Sequence, residues 1–171
     1  LSDLLVHESG GAVAGLIVSV QSMDDNVLEI IKRRNLEQHK IKEIFELCDR
    51  YKIPVNTEII FGLPGETEKS WKETLWQIFR IGSPGISIWH SQLLENAEMN
   101  LKQREFYKLE TVPMHDYFSG SGGSSYDNNE VEESVNVVVS TRDIPREKML
   151  ELMVWNVFIT TFHIHGLTSY I

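Results

Sequence analysis

Between residues 19 and 62, five residues have the chemistry to hold a small polar molecule: Ser19, Gln21, Arg33, Glu58 and Gly62. A glutamine amide both donates and accepts hydrogen bonds, and an arginine guanidinium is a planar fork matched to a carboxylate. Glu58 lies inside the apolar run Val55-Asn56-Thr57-Glu58-Ile59-Ile60-Phe61. A carboxylate in such a run is costly unless paired, so it meets either an internal Lys, Arg or Gln or the donors of a ligand. Gly62 opens Gly62-Leu63-Pro64-Gly65, which turns the chain tightly with or without a ligand over it.

These residues need elements to position them. Ala14-Gly15-Leu16-Ile17-Val18-Ser19-Val20 is short, β-branched and bounded by glycine, as a buried strand is. Ser22-Met23-Asp24-Asp25 has the form of a capping box opening a helix with Val27, Leu28 and Ile31 inward. Residues 36–51 carry Ile41, Ile44, Phe45, Cys48 and Tyr51 at helical steps, and Pro54 ends that helix before a strand over 55–61. Another helix follows, with Trp71, Leu75, Ile78 and Phe79 on one face, then a strand over 86–90. Strands alternating with helices of this length predict βαβ units and a parallel sheet, an α/β fold. Strict alternation puts Ile17, Ser19 and Gln21 on one face, and Asn56 and Glu58 on the inner face of the next strand.

Beyond Leu94 the rhythm changes. Ser119-Gly120-Ser121-Gly122-Gly123-Ser124-Ser125 reads as a flexible loop and lacks the Gly-Lys-Ser/Thr of a phosphate-binding loop. A short strand is expected over 135–139. Asp143 and Pro145 open a long apolar helix that Gly166 closes. The expected organisation is residues 1–100 as βα units, 101–142 as an irregular segment, and 143–171 as a C-terminal helix.

Composition narrows the function. Sixteen Lys and Arg against twenty-five Asp and Glu give a net charge of -9, which disfavours general nucleic-acid binding. The run Lys32-Arg33-Arg34 equally suits the solvated C-terminus of a helix. Neither a signal peptide nor a membrane span is expected: the most apolar run, residues 149–164, is short and holds Glu151, Asn156 and His163. These features predict a cytoplasmic protein. The single cysteine, Cys48, reads as a buried structural thiol.

Three motifs stand in register: Ser19-Val20-Gln21-Ser22 at a strand end, Ile31-Lys32-Arg33 after the next helix, and Glu58-Ile59-Ile60-Phe61-Gly62-Leu63-Pro64-Gly65-Glu66-Thr67. This order resembles the second half of the radical S-adenosylmethionine barrel. It is most similar to the group holding oxygen-independent coproporphyrinogen oxidases and cobalamin-binding radical enzymes. The resemblance implies a partial (βα) TIM-barrel half with parallel strands, followed by a mainly helical C-terminal extension. It also implies a cofactor-binding set of Ser19, Gln21, Arg33, Glu58 and Gly62. Gln21 would hydrogen-bond a ribose hydroxyl, and Glu58, where the family usually has Asp, would accept from the ribose hydroxyls. Arg33 rather than Arg34 would hold the methionine carboxylate, and Gly62 would let the strand end approach adenine.

The same resemblance implies a [4Fe–4S] cluster held by three cysteines of a C-x-x-x-C-x-x-C segment, which this sequence lacks. Their expected place is upstream of Leu1, in the N-terminal half of the same protein, which becomes this chain's partner. An apolar strand edge at residues 16–20 and the missing initiator Met agree with that expectation. The implied activity is reductive cleavage of S-adenosylmethionine to a 5′-deoxyadenosyl radical, with methyl transfer if cobalamin is bound; the substrate is unreadable. Two other readings stay open: a half-barrel or interaction module without a cluster, and an unrelated βα-barrel enzyme using Glu58 as acid or base. His90, at a strand end, is expected on the active face; Trp89 and Trp155 are expected in the core. His163 and His165, two apart, do not make a helical metal pair.

Overall fold

A computed structural model describes residues 15–115 and 134–167. Three parallel strands form the main sheet: β1 (Leu16–Gln21), β2 (Val55–Phe61) and β3 (Ile86–His90), in the spatial order β1-β2-β3. That order has each strand beside its sequence neighbour, as in a βα barrel. The connections are helical. Helices α1 (Asp25–Ile30) and α2 (Gln38–Arg50) join β1 to β2, and α3 (Glu68–Ile81) joins β2 to β3.

β2 is the central strand, and its burial alternates residue by residue. Val55, Thr57, Ile59 and Phe61 face the helices, where they pack with Ile41, Phe45, Trp71, Leu75 and Ile78. Trp71 is fully enclosed, its ring 4.8 Å from that of Phe61. The opposite face keeps Asn56, Glu58 and Ile60 half-buried. Among the described residues β1 is paired on one side only, and Ile17 is 58% exposed on it.

Helix starts follow local chemistry. Thr67 and Ser70 cap α3 reciprocally, each side chain accepting from the other's amide at 2.8–3.0 Å, and Gly82 closes that helix in the left-handed region. At α1 the capping differs from expectation. Asp24, not Ser22, accepts from the Val27 amide at 2.9 Å. Ser22 is instead fully buried, and its hydroxyl accepts from the Asp24 amide at 3.2 Å.

After β3 the chain forms a π-helical turn (Met99–Gln103), then β4 (Glu110–His115), β5 (Ser134–Ser140) and α4 (Arg146–Ile164). β4 and β5 pair antiparallel, and β5 continues onto the end of the parallel sheet through Val138 N–H to Ser91 O and Leu93 N–H to Asn136 O. The strand anticipated at 135–139 is therefore present, whereas β4 lies in a stretch read as irregular. Pro113 hid it: proline donates no ladder bond and is tolerated where the partner makes no demand on its nitrogen. The Gly/Ser loop at 119–125 lies outside the described residues. α4 covers β3 and β5, with Met149 and Leu152 buried and Asn156 accepting from Trp71 Nε1 at 2.9 Å. No helix among the described residues is long and apolar enough to cross a membrane.

Two expectations about aromatic and histidine positions fail. Trp89 and Trp155 are 39% and 57% exposed rather than core. His90 pairs with Phe61 in the parallel register, so its side chain shares the helix-packed face and not the inner one. Its ring meets Phe61 edge-on at 6.0 Å, and burial pushes its pKa down. The last position of a strand follows the strand's parity, which the register with β2 fixes.

Candidate functional site

The parallel register places Ser19 directly beside Glu58. The Ser19 hydroxyl donates to Glu58 Oε2 at 2.9 Å, across the inner face of the sheet. Arg33 reaches back from beyond α1 and donates through Nη2 to the Ser19 carbonyl at 3.1 Å. Its approach is set by backbone geometry: Lys32 adopts a left-handed conformation, and the Arg33 amide donates to Leu28 O. The neighbouring cation Lys32 is turned elsewhere, onto Glu98 at 2.7 Å. Three of the five anticipated residues, Ser19, Arg33 and Glu58, are thus hydrogen-bonded into one group centred on Ser19.

Gln21 reaches its position by a different route from simple alternation. The ladder slips between Ser19 and Gln21, so that Ser19 faces Glu58 while Gln21 faces Ile59. Gln21 also has a positive φ of 63°, rare for a residue with a side chain. A bulge of this kind re-aims a side chain at the end of a strand. No hydrogen bond ties Gln21 to Ser19, Arg33 or Glu58 among the described residues, and its register partner Ile59 belongs to the helix-packed face rather than the face of Glu58.

Gly62 is needed for its backbone. Its φ is +85°, while a Cβ added there would only touch Met149 and Ser91 at 3.7–3.8 Å, ordinary contact. Gly65 is needed for space as well. A Cβ there would run into Ile30 Cδ1, so the β2–α3 turn sits against the end of α1.

Glu66 was not singled out from the sequence as a functional residue. It is fully buried, with Oε2 accepting from the Gly62 amide at 2.8 Å and Oε1 lacking a hydrogen-bond partner. Burial pushes its pKa up to about 8, against the opposing effect of the Gly62 and Leu63 amides; the charge of Asp24 adds to the rise. The available signal was its spacing. An acid four residues after Gly62, between a turn and a helix start, reads as a solvent-facing N-terminal acid, and only the tertiary fold reveals that it turns inward.

Residues 5–77 match the family model described as Radical SAM superfamily. Over that segment the chain is similar to the Radical SAM superfamily. The segment's described part spans β1 to α3 and contains Ser19, Gln21, Arg33, Glu58 and Gly62. Among similar proteins is the cobalamin-dependent radical SAM methyltransferase TokK of Streptomyces tokunonensis, 29% identical over 139 residues, covering 80% of this chain and 20% of that protein. Another is the 2-(S-pantetheinyl)-carbapenam-3-carboxylate methyltransferase of Streptantibioticus cattleyicolor, 27% identical with the same coverage. The chain therefore spans about one fifth of the length of these relatives. A solved structure, the radical SAM enzyme coproporphyrinogen III oxidase (HemN) from Escherichia coli, aligns with a TM-score of 0.44 and 21% identity, covering 52% of this chain and 20% of that one.

The likeness to the Radical SAM superfamily implies S-adenosylmethionine and a [4Fe–4S] cluster. The two fit this chain differently. S-adenosylmethionine presents ribose hydroxyls and a carboxylate, and the group here offers a carboxylate acceptor and a guanidinium fork, both hydrogen-bonded to Ser19. The cluster does not fit. Three of its irons need three thiolates, and the sequence has one cysteine, Cys48, buried against α2's packing face. Burial raises the pKa of that thiol, the reverse of what a metal-ligating thiolate requires. Among the described residues no group of three or more His, Cys, Asp and Glu could hold a metal ion.

Proposed function

We propose that this chain supplies the nucleoside and carboxylate contacts for S-adenosylmethionine in a radical SAM methyltransferase. The observation that carries the reading is the hydrogen-bonded run from Arg33 to Ser19 to Glu58 at the inner face of the parallel sheet. In it Glu58 accepts from the ribose hydroxyls, and Arg33 turns its fork to the methionine carboxylate. Gln21 would add an amide to the ribose by turning back across the bulge, and the Gly62 turn supplies backbone beside adenine. Orientation is the chain's contribution: holding the sulfonium fixed converts a poor encounter into an aligned one. A [4Fe–4S] cluster supplies the electron for reductive cleavage in this chemistry, and its thiolates come from outside this chain. Methyl transfer and cobalamin dependence are supported by TokK, whose similarity extends over 80% of the chain. The N-terminal part of the same polypeptide is the proposed partner. A cytoplasmic setting fits the composition.

The test is calorimetric titration of S-adenosylmethionine into the full chain, its Glu58→Ala and Arg33→Ala variants, and an Arg34→Ala control. Loss of about tenfold in affinity for each of the first two is expected, as for a lost charge-assisted hydrogen bond. Equal affinity in all four proteins would overturn the assignment. With the intact polypeptide, reconstituted anaerobically with iron and sulfide, 5′-deoxyadenosine should form under reducing conditions.

A further inference from the structure

Glu66 is the one fully buried acid among the described residues, and no contact to a cation is part of its surroundings. A carboxyl without a counter-charge stays enclosed only when something holds it there. What holds it is the turn. Oε2 takes the Gly62 amide at 2.8 Å, and the Glu66 amide donates to Leu63 O at 3.2 Å, so side chain and backbone both close the five residues that follow β2. On the other side of this turn, Gly65 leaves no room between the chain and Ile30. Ile30 ends α1, and its carbonyl accepts from Gln103 Nε2 at 2.9 Å. Three residues further on stands Arg33. The turn therefore joins β2, which carries Glu58 three residues before its end, to the end of α1, from which the chain runs three residues on to Arg33.

We propose that Glu66 is a positioning residue: its carboxyl pins the Gly62 amide and thereby fixes the end of β2 against α1, setting Glu58 relative to Arg33. The proposal rests on the reading of Glu58 and Arg33 as S-adenosylmethionine contacts only in its consequence for binding. Burial favours the protonated acid. The charge of Asp24, the cap of α1, reinforces the neutral form. Ionisation would put an uncompensated charge in the core that the Gly62 and Leu63 amides offset only in part, so the turn would have to shift to bring it solvation.

The experiment uses the full chain, isotopically labelled, and its isosteric Glu66→Gln variant, which keeps an oxygen acceptor but cannot ionise. The Gly62 amide resonance is followed from about pH 6 to about pH 9.5, bracketing the expected transition, and S-adenosylmethionine affinity is measured across the same range. In the wild-type chain the Gly62 signal should titrate with a midpoint near 8, and it should stay flat in Glu66→Gln. Affinity should fall about tenfold more in wild type than in Glu66→Gln between the two ends, one decade being 1.4 kcal/mol. A pH-invariant Gly62 signal in wild type, or one that titrates identically in the variant, overturns the clamp. If Gly62 titrates as expected and ligand binds with the same pH profile in both proteins, the positioning role is overturned while the binding reading survives. If neither protein binds at any pH, it is the binding reading that fails. The clamp is then judged on whether the Arg33 side-chain resonance moves together with Gly62, and an unmoved Arg33 overturns it.

Discussion

Ser19 and Glu58, thirty-nine residues apart, are joined by a 2.9 Å hydrogen bond from the serine hydroxyl to the carboxylate. Parallel pairing of β1 and β2 puts them side by side, and the bond aligns the one acid on the inner face of the described sheet. Serine thus orients the acid, and Glu58 keeps lone pairs for further donors. Ser19→Ala should free the carboxylate to rotate and weaken S-adenosylmethionine binding by about 1 kcal/mol. Combined with Glu58→Ala it should add almost nothing more, because the two side chains act as a unit. A double-mutant cycle by calorimetry measures this, and full additivity would contradict it.

Arg33 and Arg34 are both exposed, yet of the two it is Arg33 that, among the described residues, donates to the sheet, at Ser19 O. Arg33→Ala is expected to lower ligand affinity and Arg34→Ala to leave it within about twofold, the ordinary spread for a surface change. Arg33→Lys should not rescue binding, because an ammonium cannot make the two-pronged contact. Titrations of the three variants at one salt concentration decide the point.

The two turn glycines should respond differently to alanine. Gly62→Ala meets only backbone strain at φ +85°, a cost of about 1–2 kcal/mol. Gly65→Ala adds to similar strain a collision with the end of the Ile30 side chain, so its loss should be larger by whatever it costs Ile30 to move. Pairing Gly65→Ala with Ile30→Ala should recover part of it. Urea denaturation midpoints rank the variants.

Glu66 gives stability a definite pH dependence. Its folded pKa, about 8, lies above the ordinary 4.5, so the native chain binds this proton more tightly than the unfolded chain. Stability from this group is therefore present in full below about pH 4.5 and declines as pH rises toward 8. Glu66→Gln removes the decline. Its thermal midpoint, measured against wild type, should improve steadily from mildly acid to mildly alkaline pH, and a constant difference would argue against the buried acid.

Asn156→Leu should cost about 1–3 kcal/mol, the penalty for stranding a buried donor, because Trp71 Nε1 has its hydrogen bond at Asn156 Oδ1. Chemical denaturation followed by Trp71 fluorescence would register both the loss and the changed environment.

The βα rhythm and the parallel sheet were legible because apolar strands, helical spacing and glycine punctuation all agreed from Leu16 to His90. Strand parity also placed Glu58 on the inner face, but its pairing with Ser19 came only with the register of the two strands. Parity failed at two strand ends. A bulge after Ser19 re-aimed Gln21, and the register with Phe61 put His90 on the outer face. Bulges arise from backbone conformations such as the positive φ at Gln21, which a glutamine does not announce. The inward turn of Glu66 was hidden for a related reason. Its partner is a backbone amide, and main-chain donors leave no trace in residue type.

Met149 is wholly enclosed near the Gly62 turn, and α4 rests on strands of both sheets. The helix that looks like an appendage in the linear order is thus a wall of the room that β2 opens into. Cutting the polypeptide ahead of Arg146 would bare the turn to water, and swapping the C-terminal segment between relatives would retune the cofactor half as well. Modularity in this chain stops short of the boundary its punctuation suggests.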